Sequence, residues 1–395
     1  LTTALASGKD TIAVTESFST ANAISLGSKK LVGPKYFAYV EGCKSAATPT
    51  LTYASGATVS LSSGEINQLN LSFLTVDSKV DGAVSGSGTI KDSIITTKEV
   101  KSTLKVTGKI TLAGNVTLDS LQKQSSNYAI QAVLRTDRSA AAQIEVTGKT
   151  TLKGYANIGL ELGTGSQITI ASSGSLVFDL PDLFMGIDFD NDTTFTANGP
   201  VKFEKPASSA VGYVGGDRVR LSLNAAGNYI KTTYTGFMTQ ADGSLNINGS
   251  TTIECFRSST SSSCTGIDSR RTNVNIAAPV TLLNFTKIHD SKYPTIYGDE
   301  ILSMVGGTLK LTSTIESKSN VGKLLINGNS MNMSSSSAIL GATYIYGDGK
   351  NFTAAAGAKL KLGGVCRKAA SSGTLSSVTY DKAITSPVSP FTSGC

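Results

Sequence analysis

The chain reads VTGKITLAG at residues 106–114, and a near copy, VTGKTTLKG, returns at residues 146–154. Each phrase alternates apolar and polar residues and is closed by glycine, which is typical of a short strand with one buried face. A second phrase, IYGD, occurs at residues 296–299 and again at residues 345–348. Imperfect recurrence of short strand phrases indicates a solenoid, in which each coil buries its apolar row against neighbouring coils.

The gaps between predicted strands are short, as between the strands predicted at residues 57–61 and 66–71. Such gaps leave no room for crossover helices, so a doubly wound α/β fold is excluded. A sandwich of hairpins and a parallel β-helix both remain. Most junctions are single Gly, Ser-Gly or Asn corners, whereas tight hairpins favour Asn-Gly or Asp-Gly. The corners favour an all-β fold, a right-handed parallel β-helix solenoid with loop excursions and terminal caps.

No charge-rich or Pro-rich linker divides the 395 residues, so we expect one rod over residues 1–365. A short helix is predicted in an N-terminal cap at about residues 1–15, because Leu1, Ala4 and Leu5 have helical spacing. Residues 366–395 lose the strand rhythm and are predicted to form a cap or a transition segment. Three stretches depart from the pattern and are predicted loop excursions and recognition surfaces: residues 121–140, 206–216 and 257–271.

The composition indicates a surface of hydroxyls and amides: charged residues make up only 16%, Trp is absent, and the net charge is +7. Most Lys residues are scattered singly, as expected of solubilising positions on strands. The densest basic spots are candidate contacts for anionic glycans or other partners. Nucleic-acid binding is not expected, because aromatic residues do not alternate with these cations. The candidate binding residues are Arg135, Arg138, Arg218, Arg220, Arg257, Arg270 and Arg271.

The five cysteines predict two disulfides. Cys255 and Cys264 flank a polar loop, and Cys366 with Cys395 would tie down the C-terminal segment. Zinc is a poor alternative, because the chain has no CxxC spacing and a single His, His289. Disulfides indicate an oxidising compartment outside the cytosol. Cys43 is left over and is expected to be a buried free thiol, with intermolecular pairing as the alternative.

The acidic stretch at residues 188–192 carries the strongest chemical signal. Carboxylates at alternate positions, Asp188, Asp190 and Asp192, suit calcium or a pair of glycosidase carboxylates. An EF-hand is excluded, because Thr193 stands at the turn glycine and Gly199 at the final bidentate position. A calcium site of another type remains one interpretation, and a solvated acidic strand end is the other.

Catalysis is not predicted from any motif, and no catalytic residue is assigned. A serine hydrolase would need a Gly-x-Ser-x-Gly elbow between a strand and a helix, and His289 would have to serve as its base. The enzyme alternative is a polysaccharide lyase or glycoside hydrolase, for which Arg218 and Arg220 would assist the acidic stretch. Two observations argue against this enzyme alternative: the carboxylates are dispersed along the chain, and there is no Trp that could stack on sugars.

Four features carry a resemblance: the opening at residues 4–14 running to 30–33, the Gly-Ser-x-Ile-Thr-Ile phrase at 165–170, the absence of Trp, and the closely spaced cysteine pair. Together they resemble passenger domains of Gram-negative autotransporter adhesins and, more loosely, other right-handed β-helix proteins of the pectate-lyase-like group. The resemblance spans roughly residues 1–365 and transfers no site residue. It implies an excised, exported ectodomain whose membrane anchor lies outside the chain.

These observations predict an adhesin or self-association module at a bacterial cell surface, either attached to the outer membrane or secreted. Its partners would be host or bacterial surface glycans, matrix proteins or neighbouring cells, bound through an extended solenoid face. No cofactor is expected apart from the calcium hypothesis. A structural stalk is the alternative outside the binding and enzyme classes.

Overall fold

The computed structural model describes residues 1–74, 80–98, 100–121, 132–181, 185–205, 211–256, 263–287, 298–327, 330–347, 351–374 and 389–395. The chain forms two compact units, Leu1–Leu183 and Phe184–Cys395, here called unit 1 and unit 2. Each unit is almost entirely β-structure. The predicted all-β solenoid of parallel strands is confirmed within each of them.

The described part of unit 1 contains two short helices, α1 (Thr2–Ala6) and α2 (Glu41–Lys44), and a 3-10 turn at Pro34–Phe37. Its strands are β1 (Thr11–Ala13), β2 (Phe18–Thr20), β3 (Ile24–Gly27), β4 (Lys30–Val32), β5 (Thr50–Tyr53), β6 (Val59–Asn67), β7 (Asn70–Phe73), β8 (Val84–Lys91), β9 (Ile94–Thr97), β10 (Ser102–Ala113), β11 (Asn115–Ser120), β12 (Ala132–Thr136), β13 (Gln143–Val146), β14 (Lys149–Gly154), β15 (Ile158–Leu162), β16 (Gln167–Ile170) and β17 (Ser175–Asp179).

Unit 1 is a coil with three sides, each a ladder of parallel strands. On side I, β3, β6, β8, β10, β12 and β15 pair in that order. Side II pairs β4 with the later halves of β6, β8 and β10, and then with β13 and β16. Side III runs β2, β5, β7, β9, β11, β14 and β17. Long strands such as β10 turn one corner and so serve two sides.

The strands of unit 2 are β18 (Met185–Phe189), β19 (Thr194–Ala197), β20 (Val201–Lys205), β21 (Val211–Val214), β22 (Arg220–Leu223), β23 (Asn228–Thr232), β24 (Thr235–Thr239), β25 (Ser244–Ile247), β26 (Thr251–Cys255), β27 (Thr265–Arg270), β28 (Asn273–Ile276), β29 (Val280–Leu283), β30 (Glu300–Val305), β31 (Thr308–Leu311), β32 (Thr314–Ser317), β33 (Lys323–Asn327), β34 (Ser330–Met333), β35 (Ala338–Ala342), β36 (Tyr344–Gly347), β37 (Asn351–Ala354), β38 (Lys359–Leu362), β39 (Val365–Ala369), β40 (Gly373–Thr374) and β41 (Phe391–Gly394).

Unit 2 repeats one coil of three strands from β18 to β38. Side I contains β18, β21, β24, β27, β30, β33 and β36. Side II contains β19, β22, β25, β28, β31, β34 and β37. Side III contains β20, β23, β26, β29, β32, β35 and β38. Because every register is parallel, equivalent positions of successive coils form columns along the stack.

A column of glycines lets sides I and III of unit 2 pack closely. A Cβ atom on Gly236 would lie 2.6 Å from the carbonyl oxygen of Gly266 and 2.9 Å from Cγ2 of Ile253 on side III. Gly212, one coil earlier, meets Ile230 of side III in the same way. The core beside this column is aromatic, with the rings of Tyr213 and Phe237 stacked 4.8 Å apart. Any side chain at these glycines would overlap the core.

Both predicted terminal features have structural counterparts. Helix α1 begins at Thr2, as the spacing of apolar residues predicted. At the other end the parallel stacking stops, because β39 pairs antiparallel with β38 and β41 pairs antiparallel with β39. These antiparallel strands cover the edge that β38 would otherwise leave open.

The structure corrects several boundaries predicted from sequence. The strand predicted over residues 66–71 is broken at Gln68, whose φ of 59° makes it the corner between β6 and β7. Each predicted excursion also contains a strand: β12 lies within 121–140, β21 within 206–216 and β27 within 257–271. These three side I strands bury consecutive residues instead of alternating, so a period of two does not detect them.

Candidate functional site

The most regular surface of the molecule is side II of unit 2. Along β19, β22, β25, β28, β31, β34 and β37, buried apolar residues alternate strictly with outward polar ones wherever burial is described. Two in-register columns of outward residues form what we call the polar ladder face. The first column is Thr194, Arg220, Ser244, Asn273, Thr308 and Ser330. The second is Thr196, Ser222, Asn246, Asn275, Lys310, Asn332 and Thr353.

Hydrogen bonds between neighbouring strands order this face. Thr308 Oγ1 donates to Asn273 Oδ1 at 2.7 Å, and Asn246 Nδ2 donates to Ser222 Oγ at 3.4 Å. Thr353 Oγ1 donates to Asn332 Oδ1 at 2.5 Å. Parallel strands lie about 4.8 Å apart, so the face presents hydroxyl and amide groups at that repeat. Each such group has more than one bonding position, which leaves donors and acceptors directed at solvent.

One edge of the polar ladder face is an asparagine ladder at the corner between sides II and III. Asn224 Nδ2 donates to Asn198 Oδ1 at 2.8 Å, and Asn248 Nδ2 donates to Asn224 Oδ1 at 2.8 Å. The three residues directly follow β19, β22 and β25. All three are exposed, so the amide repeat of the face continues onto this corner.

The opposite edge, the corner between sides I and II, carries charges of alternating sign. Asp192, Arg218, Asp242 and Arg271 occupy the equivalent position of four successive coils, each two residues before a side II strand. Their φ values lie between 49° and 60°, in the left-handed region. Arg218 Nε and Nη2 lie 2.6 Å and 2.7 Å from the Asp192 carboxylate oxygens. These hydrogen bonds lower the pKa of Asp192 below its ordinary value.

The three predicted calcium ligands lie on and after one strand. Asp188 is half-buried on β18, Asp190 follows that strand, and Asp192 is paired with Arg218. Within the described residues, these three carboxylates do not form a group whose oxygens all lie close enough to share one ion. Calcium binding here stays a prediction, and the Asp192 carboxylate is already compensated by an arginine.

The predicted basic residues of unit 1 belong to an ion-pair network on side I. Arg135 Nη2 lies 3.2 Å from Asp81, and Lys105 Nζ lies 2.7 Å from Asp81 and 3.1 Å from Asp137. Arg138 donates to the buried carboxylate of Glu161. Hydrogen bonds from Ser139 and then from Lys105 hold the pKa of Asp137 well below its ordinary value. The cations in this network are therefore neutralised by the chain itself.

The remaining basic candidates are spread over unit 2. Arg220 is exposed on β22 within the polar ladder face. Arg270 ends β27, and Arg271 is in the left-handed corner that follows it. Arg257 and His289 lie outside the described residues. Of the six predicted cations that the structure describes, Arg220 is the one on the polar ladder face.

Both predicted disulfides are formed, Cys255–Cys264 and Cys366–Cys395. Cys43 is a free thiol, as predicted, but it is half-buried and not buried. Beside the first disulfide lies the fully buried carboxylate of Asp299, which accepts backbone N–H groups of Cys264 at 2.9 Å and Lys287 at 2.8 Å. Ligand atoms of Cys255, Cys264 and Asp299 lie within 4.8 Å of one another, but the two sulfur atoms are joined and offer no thiolate.

The three predicted excursions share one position in the coil. Residues 121–140 follow β11, residues 206–216 follow β20 and residues 257–271 follow β26, so each leaves the corner after side III. Two exposed aromatic residues of unit 2 lie at this corner, Tyr234 and Phe256, and Lys231 Nζ lies 4.9 Å from the centroid of the Phe256 ring. This corner is a second polar and aromatic surface beside the disulfide.

The polar ladder face was missed by reasoning from sequence. Its signal is present in the strands TFTA, RLSL, SLNI, NVNI, TLKL, SMNM and NFTA, which start at residues 194, 220, 244, 273, 308, 330 and 351. Each alternates a polar residue with an apolar one. Detecting the face required knowing that these segments stack in register, because the intervening lengths differ from coil to coil.

The sequence matches no protein-family model, and neither a curated protein nor a solved structure is similar to it. In the described part of the chain, no helix has the length and apolar character needed to span a membrane.

Proposed function

We propose that the chain is a noncatalytic binding protein of the adhesin type, acting outside the cell at a bacterial surface. It contacts glycans or proteins of a host or of neighbouring cells through the polar ladder face of unit 2. The observation that carries this proposal is the pair of in-register columns, mostly of hydroxyl and amide side chains, that cross six and seven parallel strands.

The chemistry of the face suits many weak contacts. Each Ser, Thr or Asn side chain offers one or two hydrogen bonds, and each bond exchanged with water contributes little alone. A rigid row of such groups binds a repeating ligand at several points together, so modest contacts combine into useful affinity. The ordered face suits this mode, because cross-strand bonds such as Thr308 to Asn273 hold the side chains in place before binding.

Two further observations support a noncatalytic role outside the cytosol. The disulfides Cys255–Cys264 and Cys366–Cys395 are typical of an oxidising compartment. The candidate acid Asp192 and candidate cation Arg218 compensate each other, which supports a structural role for this pair over a catalytic one.

The test is retention of the purified, calcium-supplemented protein on an array of polysaccharides and matrix proteins, with released unsaturated and reducing ends assayed in the same wells. A variant with Asn246→Ala and Asn275→Ala removes two amides from the centre of the face. The matched control carries Thr252→Ala and Thr281→Ala, outward positions on side III of unit 2. We expect retention without product release, weakened by the first variant and unchanged in the control.

Product release would replace this proposal with a polysaccharide lyase or hydrolase, and mutagenesis would turn to Asp188, Asp190, Asp192, Arg218 and Arg220. Absence of retention on every glycan and protein would leave the structural stalk as the better account.

A further inference from the structure

The charge on the polar ladder face is confined to two cations. Arg220 on β22 and Lys310 on β31 are both exposed, and the two columns contain no carboxylate. Neither cation forms an ion pair within the described residues. The nearby Asp192 carboxylate feels the charge of Arg220, but its two oxygens accept hydrogen bonds from Arg218. The face therefore has positive charge available to an external group.

Side II of unit 1 provides an internal comparison, because two of its cations are paired and a third, Lys91, forms no ion pair within the described residues. Lys30 lies 3.3 Å from Glu65, its register partner on the next strand. Lys109 lies 3.1 Å from Glu145 on β13. In both pairs the carboxylate lies on a neighbouring strand of the same side. The polar ladder face has no such carboxylate in its two columns, so Arg220 and Lys310 can both pair with an external anionic group.

The spacing of the two cations defines the ligand further. Strands β25 and β28 separate β22 from β31, so Arg220 and Lys310 are three strand steps apart, about 14 Å along the stack at the usual spacing of parallel strands. They also lie in different columns, two residues apart along the strand. The positions between them are Ser244, Asn246, Asn273 and Asn275. A fitting ligand carries hydroxyl groups between well-separated anionic groups.

Other linear polymers fit this face less well. A peptide strand adds to a sheet at a free edge or inserts side chains into apolar pockets, whereas the outward columns here offer only polar side chains. Nucleic acid carries a far denser row of phosphates than two cations can neutralise, and the columns lack aromatic residues on which bases would stack.

We propose that the polar ladder face binds a linear acidic polysaccharide, with the chain crossing the strands and its carboxylates contacting Arg220 and Lys310. The sugar hydroxyls between these carboxylates bond the Ser and Asn side chains of β25 and β28. This inference rests on the proposed function, because it specifies the ligand of the same face.

The test compares hyaluronan with carboxyl-reduced hyaluronan of the same length, so that the two probes differ only in charge. The full chain is used as wild type, as R220Q/K310Q, and as the matched control K202Q/K361Q, which removes two cations from side III of unit 2. Denaturant midpoints are measured first, and we expect all three proteins to match closely, because none of the four side chains forms a hydrogen bond or an ion pair within the described residues.

We expect wild type to bind hyaluronan about tenfold more tightly than the reduced polymer at low salt, the combined effect of two exposed ion pairs. R220Q/K310Q should lose this preference and K202Q/K361Q should keep it. Equal binding of both polymers by wild type would overturn the acidic ligand while leaving the proposed function in place. An equal loss in both variants would overturn the assignment of the site, because it would reflect overall charge. Absence of binding to either polymer would also overturn the inference, and the array would then decide the proposed function separately.

Discussion

Arg218 and Asp192 join the same corner of two successive coils. Nε of Arg218 lies 2.6 Å from Oδ1 of Asp192, and Nη2 lies 2.7 Å from Oδ2, which is the two-point geometry of a guanidinium and a carboxylate. Each residue precedes a side II strand by two positions, and those strands pair in register. Two residues predicted from sequence to contact ligands are thus partners of each other.

This pair predicts an acid-dependent change in stability. Arg218 lowers the pKa of Asp192, so the ion pair contributes above the unfolded-state pKa of Asp192 and is lost as pH falls through its lowered, folded-state pKa. Arg218→Gln should therefore lower the denaturant midpoint slightly at pH 7 and not at strongly acidic pH. The effect is small because both side chains are about half exposed. Lys202→Gln is the control, and an equal shift at both pH values would contradict the pairing.

The recurrent phrases identified the fold class correctly but not the register. In the structure, Val146 of the second VTG phrase pairs with Leu112 of the first, and Leu152 pairs with Leu118. The phrase at 106–114 therefore runs from side I to side II, whereas the copy at 146–154 runs from side II to side III. Each phrase contains a corner between two strands, but the two corners are different ones. The repeat therefore identifies a unit of strand, corner and strand, and it does not show which residues of successive coils pair.

The charged residues show a second limit of prediction from sequence, which concerns ion pairs. Sequence reasoning treated Arg135, Arg138 and Arg218 as free cations, because their partners Asp81, Glu161 and Asp192 are more than twenty residues away in the chain. One coil of a solenoid brings such distant residues side by side. Coil lengths vary with the excursions, so these pairs follow only from the stacked structure.

The glycine column of unit 2 predicts a strong response to a single methyl group. Gly236→Ala would place Cβ 2.6 Å from the carbonyl oxygen of Gly266, so backbone or core side chains must shift. We expect a loss of about 1–3 kcal/mol, typical of overpacking, measured from urea unfolding. Gly42→Ala is the control, since its Cβ meets nothing within 4 Å in helix α2. Equal midpoints for Gly236→Ala and wild type would show that the column is not tightly packed.

Asp299 links the backbone of Cys264, in the disulfide, to the backbone of Lys287. Asp299→Ala removes the acceptor of two backbone N–H groups, and each unpaired buried donor costs about 1–3 kcal/mol. Asp299→Asn keeps one acceptor oxygen and should lose less. Hydrogen exchange should rise at the amides of Cys264 and Lys287 in Asp299→Ala, with Asp217→Ala as the control for removing a carboxylate. Unchanged protection of both amides would rule out this link.

The network around Lys105 predicts a free energy of unfolding that falls at both acidic and alkaline pH. Hydrogen bonding to Asp81 raises the pKa of Lys105, and the pKa of Asp137 is lowered chiefly by its Ser139 bonds and also by Lys105. The Asp137 contribution is present above its unfolded-state pKa and is lost as pH falls through the lowered, folded-state pKa. The Lys105 contribution is present below its unfolded-state pKa and is lost as pH rises through its raised value.

Lys105→Met should therefore lower stability by about 1 kcal/mol near neutral pH, the upper end for partly exposed pairs. The difference from wild type should shrink in strong acid and in strong alkali, as followed by urea midpoints across the pH range. Lys149→Met, at an exposed position of β14, is the control and should show no such profile. A constant deficit at every pH would mean that packing of the Lys105 alkyl chain, and not its charge, stabilises side I of unit 1.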